Sequence, residues 1–201
     1  MLVAQDDVDL KIKRQSTMLD GKEDPQGGSA EDKRSKVVGY ILCTPDTLKY
    51  VKRIDEEYVP SQAATRPWLN KNWRPEEEMD EKRRKMLTML HYPAGALVTH
   101  NYPEIVSQYP AHLHINILPG YVGGGWGRKL QEALWARLRE DNIPGVHLEC
   151  ANDNYNAQQF YEHLGFEPWK GFETEGRKGV FKAKIADGMV ELGNMCMVKK
   201  L

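Results

Sequence analysis

Residues 119–128, Pro-Gly-Tyr-Val-Gly-Gly-Gly-Trp-Gly-Arg, set glycines where an apolar stretch gives way to an amphipathic one. Glycine takes positive φ and lets a ligand come close to the backbone, and the first amides of a helix are unpaired and lie at its positive dipole end. A strand-to-helix turn of this composition suits an anion, with phosphate the favoured guest. The candidate cradle is Val122, Gly123, Gly124, Gly125, Trp126, Gly127 and Arg128, in which the arginine can add charge or stay solvated. A tight turn would also use glycine, but three in a row exceed what a turn requires. Just upstream, His112 and His114 are the natural groups to take up a proton near neutral pH, and each could equally be a satisfied structural histidine.

These residues need a scaffold. The chain has 201 residues, enough for one domain with a real core. We expect a single domain over 1–201. With 28 basic and 29 acidic residues the formal net charge is −1, so no global positive field exists to draw in nucleic acid or an anionic membrane. Three widely spaced cysteines, Cys43, Cys150 and Cys196, suit reduced buried thiols better than a disulfide framework, and no metal site is expected. No apolar run approaches a membrane span, and Gln5-Asp6-Asp7 interrupts any signal-peptide core. A soluble protein of the cytoplasm is expected, with the nucleus also open, as a monomer or homodimer.

Residues 7–36 are mostly polar and rich in glycine and charge, and are expected to form a disordered loop between two short strands, 2–3 and 37–43, paired as an antiparallel hairpin. Over 46–109 the pattern turns helical. Leu48, Val51, Ile54 and Tyr58 recur at helical spacing, and a second helix is expected over 75–91, acidic first and basic later. The joining segment carries Trp68 and Trp73 among basic residues and reads as a pinned surface loop or as a lid over an acceptor. From residue 112 the signals sharpen: strand 112–118, helix 126–142 with Trp126, Leu130, Leu134 and Leu138 four apart, and strand 145–151. Such a crossover joins two parallel neighbouring strands. A short helix with an Ala157, Phe160, Tyr161, Leu164 stripe then stops at Gly165, and strands follow near 166–169 and 190–198.

The glycine loop, residues 118–128, resembles the acetyl-CoA pyrophosphate loop of the GNAT superfamily of N-acetyltransferases, and Asn154-Tyr155-Asn156-Ala157 through Leu164-Gly165-Phe166 resembles the superfamily's second signature. More narrowly, residues 38–44, the helical insertion 46–109 and residues 109–114 are similar to the acetyltransferase-like C-terminal domain of O-GlcNAcase and its stand-alone relatives. The resemblance implies an α/β fold with a mixed, mostly antiparallel central sheet, a splayed parallel pair and flanking helices. Val122 stands where the superfamily usually has Arg or Gln, which removes one polar side chain from the cradle. The usual strand and two helices before the hairpin have no residues here; the chain is then a fragment, a mispredicted gene product, or a domain in which the insertion replaces them.

What the resemblance implies for chemistry is acetyl transfer from acetyl-CoA, as co-substrate, to the amine of a small molecule or peptide. Main-chain groups of Ile115, Ile117 and Leu118 would pair with the pantetheine arm, and an amide at Ile115 or Ile117 would polarise the acetyl carbonyl. Asn154, Asn156 and Ala157 match cofactor-contacting positions, though asparagine is also a preferred helix cap. Tyr161 matches the tyrosine that protonates the leaving thiolate, though it also lies on an apolar stripe. His112 or His114 would serve as base or water relay, yet both alternate with Ala111, Leu113 and Ile115, the parity at which the superfamily's acids and bases usually sit. The rival reading is a catalytically inactive binding module with the same fold.

Overall fold

The computed structural model describes residues 2–5, 8–12, 37–70, 72–74, 79–91, 97, 102–174, 176–185 and 190–201. The strands are β1 (Leu2–Gln5), β2 (Val8–Ile12), β3 (Val37–Thr44), β4 (Ala111–Ile117), β5 (Gly145–Ala151), β6 (Glu167–Pro168), β7 (Glu173–Thr174), β8 (Arg177–Lys178), β9 (Val180–Ile185) and β10 (Val190–Lys200). The helices are α1 (Thr47–Arg53), α2 (Val59–Gln62), α3 (Glu81–His91), α4 (Pro103–Gln108), α5 (Trp126–Glu140) and α6 (Tyr155–His163). The fold is α/β, its sheet mixed and mostly antiparallel with one parallel pair. By contacts the chain divides into two units, Met1–Cys43 with Leu113–Asn142, and Thr44–His112 with Ile143–Leu201.

In the first unit β2, β1, β3 and the later part of β4 are neighbours in that order. β1 pairs antiparallel with β3, Leu2 opposite Ile41 and Val3 opposite Tyr40, as expected for the two ends of a hairpin. β2 is a correction, because it lies inside the segment expected to be a loop and pairs antiparallel with β1. Its alternation of Val8, Leu10 and Ile12 with Asp9 and Lys11 is a period-two strand signal that the surrounding polarity obscured. Residues 13–36 lie outside the described ones. Where β3 passes β4 the fit is close: a Cβ added at Gly39 would lie 2.5 Å from Ile117 Cδ1 and 2.7 Å from the Asn116 carbonyl oxygen. On α5 the expected Leu130, Leu134 and Leu138 are buried, joined by Gln131 and Trp135, whereas Trp126 is only half-buried. Each such leucine contributes about 1.5–3 kcal/mol by leaving water.

In the second unit the first residues of β4 pair parallel with β5, Ala111 opposite Val146 and His112 opposite His147. β10 runs antiparallel beside β5 from Asn194 opposite Ala151 to Lys200 opposite Gly145, and also pairs with β6 and β9. Ile105, Tyr109, Cys196 and Val198 form a buried cluster, with Tyr102, Trp169 and Phe172 packed against it. β7 and β8 make a separate small hairpin.

The helical stretch differs from its expected pattern. Asp46 caps α1 by accepting from the Lys49 amide at 2.9 Å, and Thr47 is buried because its hydroxyl donates to the Pro110 carbonyl at 2.8 Å. That anchor turns Leu48 and Tyr58 outward, 53 % and 47 % exposed, and leaves Ile54 as the buried member of the stripe. A wide π-type turn, Ile54–Tyr58, links α1 to α2. α3 begins at Glu81 rather than at 75, since Asp80 accepts from the Arg83 amide at 2.9 Å and so supplies the cap; residues 75–78 lie outside the described ones.

β5 starts at a glycine for steric reasons. A Cβ at Gly145 would sit 2.6 Å from Tyr109 Cδ1, 2.8 Å from the Gln108 carbonyl oxygen and 3.1 Å from that of Lys199. Gly145→Val is expected to lower the unfolding free energy by about 1–3 kcal/mol or more, while Gly120→Ala, with no atom within 4 Å of its added Cβ, serves as a neutral control in the same urea melts.

Candidate active site

The predicted anion loop lies in the first unit. β4 ends at Ile117, a short turn over Pro119–Tyr121 follows, and α5 begins at Trp126. Gly123 and Gly125 hold φ of +86° and +79°, the left-handed region in which side chains are strained. Gly125 occupies the cap position and offers no side chain to the helix. The first bond closing onto that cap runs from the Lys129 amide to the Gly125 carbonyl at 3.1 Å, so the amides of Trp126, Gly127 and Arg128 precede it and have no acceptor in their own helix. A Cβ placed on Gly123 or Gly125 would meet no atom within 4 Å. Val122 is 70 % exposed and brings no polar atom. Arg128 pairs with Glu132 at 3.9 Å, both well exposed, and Lys129 Nζ lies 4.8 Å from the Trp126 ring. Unpaired amides, a positive dipole end and open space over two left-handed glycines fit a phosphate or diphosphate.

β4 leads into this loop. The Leu118 amide donates to the Val38 carbonyl at 2.8 Å and so is taken, contrary to expectation, while its carbonyl accepts from the Tyr121 amide at 2.8 Å and keeps a second lone pair. Main-chain groups alternate sides along a strand, and Ile115 and Ile117 therefore direct theirs away from β3. Ala111 and Leu113 are buried, with His112 half-buried and His114 exposed on the opposite parity. The His114 ring lies 6.0 Å from that of Tyr40, whose hydroxyl accepts from Asn116 Nδ2 at 3.4 Å.

The remaining predicted residues fall in the second unit. Asn154 Oδ1 accepts from the Ala157 amide at 3.2 Å, so this side chain is the helix cap; Asn156 is exposed in the first turn and Ala157 is half-buried. Tyr161 stands on α6, edge-on to Phe166 at 5.5 Å. Burial, with the neighbouring Cys150 adding to it, pushes its phenol up to about 12, and its hydroxyl bonds no described residue. The proton therefore stays on Tyr161 at neutral pH. The His112 ring lies 5.1 Å from that of His147, a fully buried imidazole whose Nδ1–H donates to the Tyr109 carbonyl at 2.6 Å. Burial pulls His147 down to about 4, the bond to Tyr109 opposing only in part.

Three features escaped the sequence reading. Glu149, two residues beyond His147 on β5, accepts from Asn194 Nδ2 at 3.1 Å. Gln158 is only 7 % exposed and donates through Nε2 to the carbonyls of Ala151 at 3.2 Å and Asn152 at 3.1 Å. Arg177, on β8, donates to the same Asn152 carbonyl at 2.9 Å and to Gln158 Oε1 at 3.2 Å. The bonds of Asn194 to Glu149 and of Arg177 to Asn152 and Gln158 join positions 45, 25 and 19 residues apart, which no local pattern announces. A cavity of about 560 Å³ lined by Tyr109, Trp169, Lys170, Lys199 and Lys200 among others contains none of the predicted residues.

The family model described as acetyltransferase (GNAT) family matches residues 51–166, more than half of the chain and inclusive of both signatures. The chain belongs to the GNAT acetyltransferase family. The crystal structure of SsHAT is 30 % identical with a TM-score of 0.60, over 84 % of this chain and 69 % of that one. Mycothiol acetyltransferase of Nocardiopsis dassonvillei is 40 % identical over 55 residues, 27 % of this chain and 17 % of the relative. This GNAT chain therefore spans less than a fifth of that curated relative's length. The match, starting at residue 51, takes in most of the helical stretch along with the glycine loop.

The buried imidazole gives the fold a pH dependence with a definite sign. A folded-state value of about 4 against an ordinary 6.5 means that the unfolded chain binds the proton more readily below 6.5, so stability present above that pH is lost as pH falls towards 4. The gap in unfolding free energy between the wild type and His147→Gln is expected to narrow by about 3 kcal/mol between about pH 7 and about pH 4, read from urea melts at each pH. A constant gap would show that His147 does not titrate this way.

Proposed function

We propose that this GNAT chain is an acetyl-CoA-dependent N-acetyltransferase that acts on the amine of a small molecule or peptide. The observation that carries the reading is the start of α5: three amides without a helical acceptor behind left-handed Gly123 and Gly125. Membership of the family supports the reaction class. When bound, acetyl-CoA supplies an acetyl group activated as a thioester and a diphosphate for the cradle.

The chain's own residues would do the following. Trp126, Gly127 and Arg128 donate main-chain hydrogen bonds to the diphosphate, with Gly123, Gly124 and Gly125 allowing the approach. Main-chain groups of Ile115 and Ile117 hold the arm and polarise the acetyl oxygen, an effect that is strong when donors are fixed beforehand. His112 or His114 takes the amine proton, directly or through a water. Tyr161, protonated at neutral pH, releases its hydroxyl proton to the departing sulfur. Asn156, exposed in the first turn of α6, contacts the cofactor, whereas Asn154 acts through its cap. Val122 adds only backbone. The narrower likeness to the acetyltransferase-like domain of O-GlcNAcase is a proposal about lineage and names no acceptor. Trp68 and Trp73, with His91 packed 5.3 Å from the Trp73 ring, form the aromatic part of the stretch we assign to acceptor choice.

Calorimetric titration with acetyl-CoA is expected to give micromolar binding, about −8 kcal/mol. Gly125→Glu, which brings bulk and a carboxylate to the cradle at a left-handed position, should abolish that heat; a wild type that gives no heat leaves only a binding module of the same fold. Tyr161→Phe should keep the binding and slow turnover by about a hundredfold, assayed as CoA release across a panel of polyamines, amino sugars and basic peptides. Unchanged turnover would remove Tyr161 from the reaction.

A further inference from the structure

We infer that Arg177 and Gln158 are positioning residues: a two-part clamp that sets the β5–α6 turn for cofactor binding, an inference that rests on the acetyl-transfer reading above. The turn has a demanding local geometry. β5 ends at Ala151, α6 starts at Tyr155, and Asn154 between them commits its side chain to the cap. Ala151 ends the strand and Asn152 follows it in the turn, and the carbonyls of both accept hydrogen bonds. Each is claimed twice. Ala151 accepts from the Asn154 amide at 3.0 Å and from Gln158 Nε2 at 3.2 Å. Asn152 accepts from Gln158 Nε2 at 3.1 Å and from Arg177 Nη1 at 2.9 Å. Arg177 Nη2 then donates to Gln158 Oε1 at 3.2 Å, which closes the ring of bonds.

Two further contacts make the clamp rigid. The guanidinium carbon of Arg177 lies 5.2 Å from the centre of the Tyr155 ring, within cation–π range, so the same side chain holds both the strand end and the first helical residue. Arg177 itself is carried by the β7–β8 hairpin, where it pairs with Thr174 across a turn containing Gly176 at φ +74°. The planar fork of arginine presents its donors to two acceptors in a fixed geometry, whereas the ammonium of lysine is a point charge without that fork. None of these bonds belongs to the buried cluster of Ile105, Tyr109, Cys196 and Val198, and all converge on the turn that presents Asn156 and begins the helix bearing Tyr161. The clamp therefore fixes the cofactor-side geometry and leaves the core to its own packing.

The test compares wild type, Arg177→Met and Arg177→Lys by calorimetry with acetyl-CoA and by thermal melting without ligand. Met keeps an unbranched stem against Tyr155 and loses both donors. The expected result is a Kd for acetyl-CoA raised about tenfold or more in Arg177→Met, with partial recovery in Arg177→Lys, whatever fall in Tm accompanies it. Equal Kd in all three proteins overturns the inference. So does a fall in Tm with Kd unchanged, because that is a structural role alone. Should Arg177→Met fail to fold, Arg177→Lys and Tyr155→Leu decide by the same Kd criterion. A wild type that takes up no acetyl-CoA overturns the acetyl-transfer reading instead, and this one with it.

Discussion

The first amides of a helix have no acceptor within it, and at the start of α5 those of Trp126, Gly127 and Arg128 are left in that state. Proteins usually settle such an end with Ser, Thr, Asp or Asn at the cap. Here the cap is Gly125, which has nothing to give, and the preceding Gly123 shares its left-handed conformation. Most of the first unit can be understood as support for that end. The Leu118 amide and carbonyl tie the end of β4 to β3 and to the turn, Gly39 lets β3 come within van der Waals distance of Ile117, and the buried leucines of α5 fix the helix axis. An anion at the exposed amides would supply the acceptor that the chain withholds.

β4 contributes to both units. Its first two residues pair with β5, and its last ones belong with β3. Because main-chain groups alternate along a strand, its two edges serve different ends. Leu118 bonds to β3, whereas Ile115 and Ile117 direct their main chain the other way. The same alternation explains why Ala111 and Leu113 are core while His112 and His114 are not. A one-residue slip would exchange these sets, which is why burial of Ala111 and Leu113 also fixes the histidines.

Burial sets protonation elsewhere. It keeps the proton on Tyr161 and off the second ring nitrogen of His147, and it raises Cys43 to about 12 and Cys150 to about 11, so these thiols stay protonated near neutral pH. Tyr161 alone of these combines a retained proton with a hydroxyl that bonds no described residue. His147 gives its donor to Tyr109 and is part of the frame.

Short-range features were legible in the sequence. The glycine loop, β5, α6 with its Asn154 cap and Gly165 stop, and the leucine stripe of α5 all follow from spacing and from residue-specific backbone preferences over fewer than about ten residues. β2 carried a readable alternation but sat in polar surroundings, and α1 showed a helical stripe whose outward turn was decided by the bond from Thr47 to Pro110, far along the chain. The bond of the Leu118 amide to Val38, the pairing of His112 with His147 and the bond of Arg177 to Asn152 are likewise long-range. Sequence by itself determined which backbone could hold a phosphate, because φ preference and helix-end chemistry are local. Only the tertiary structure decided which donors were left without an acceptor and which side chains held them in place, because hydrogen-bond partners between distant strands leave no period in the sequence.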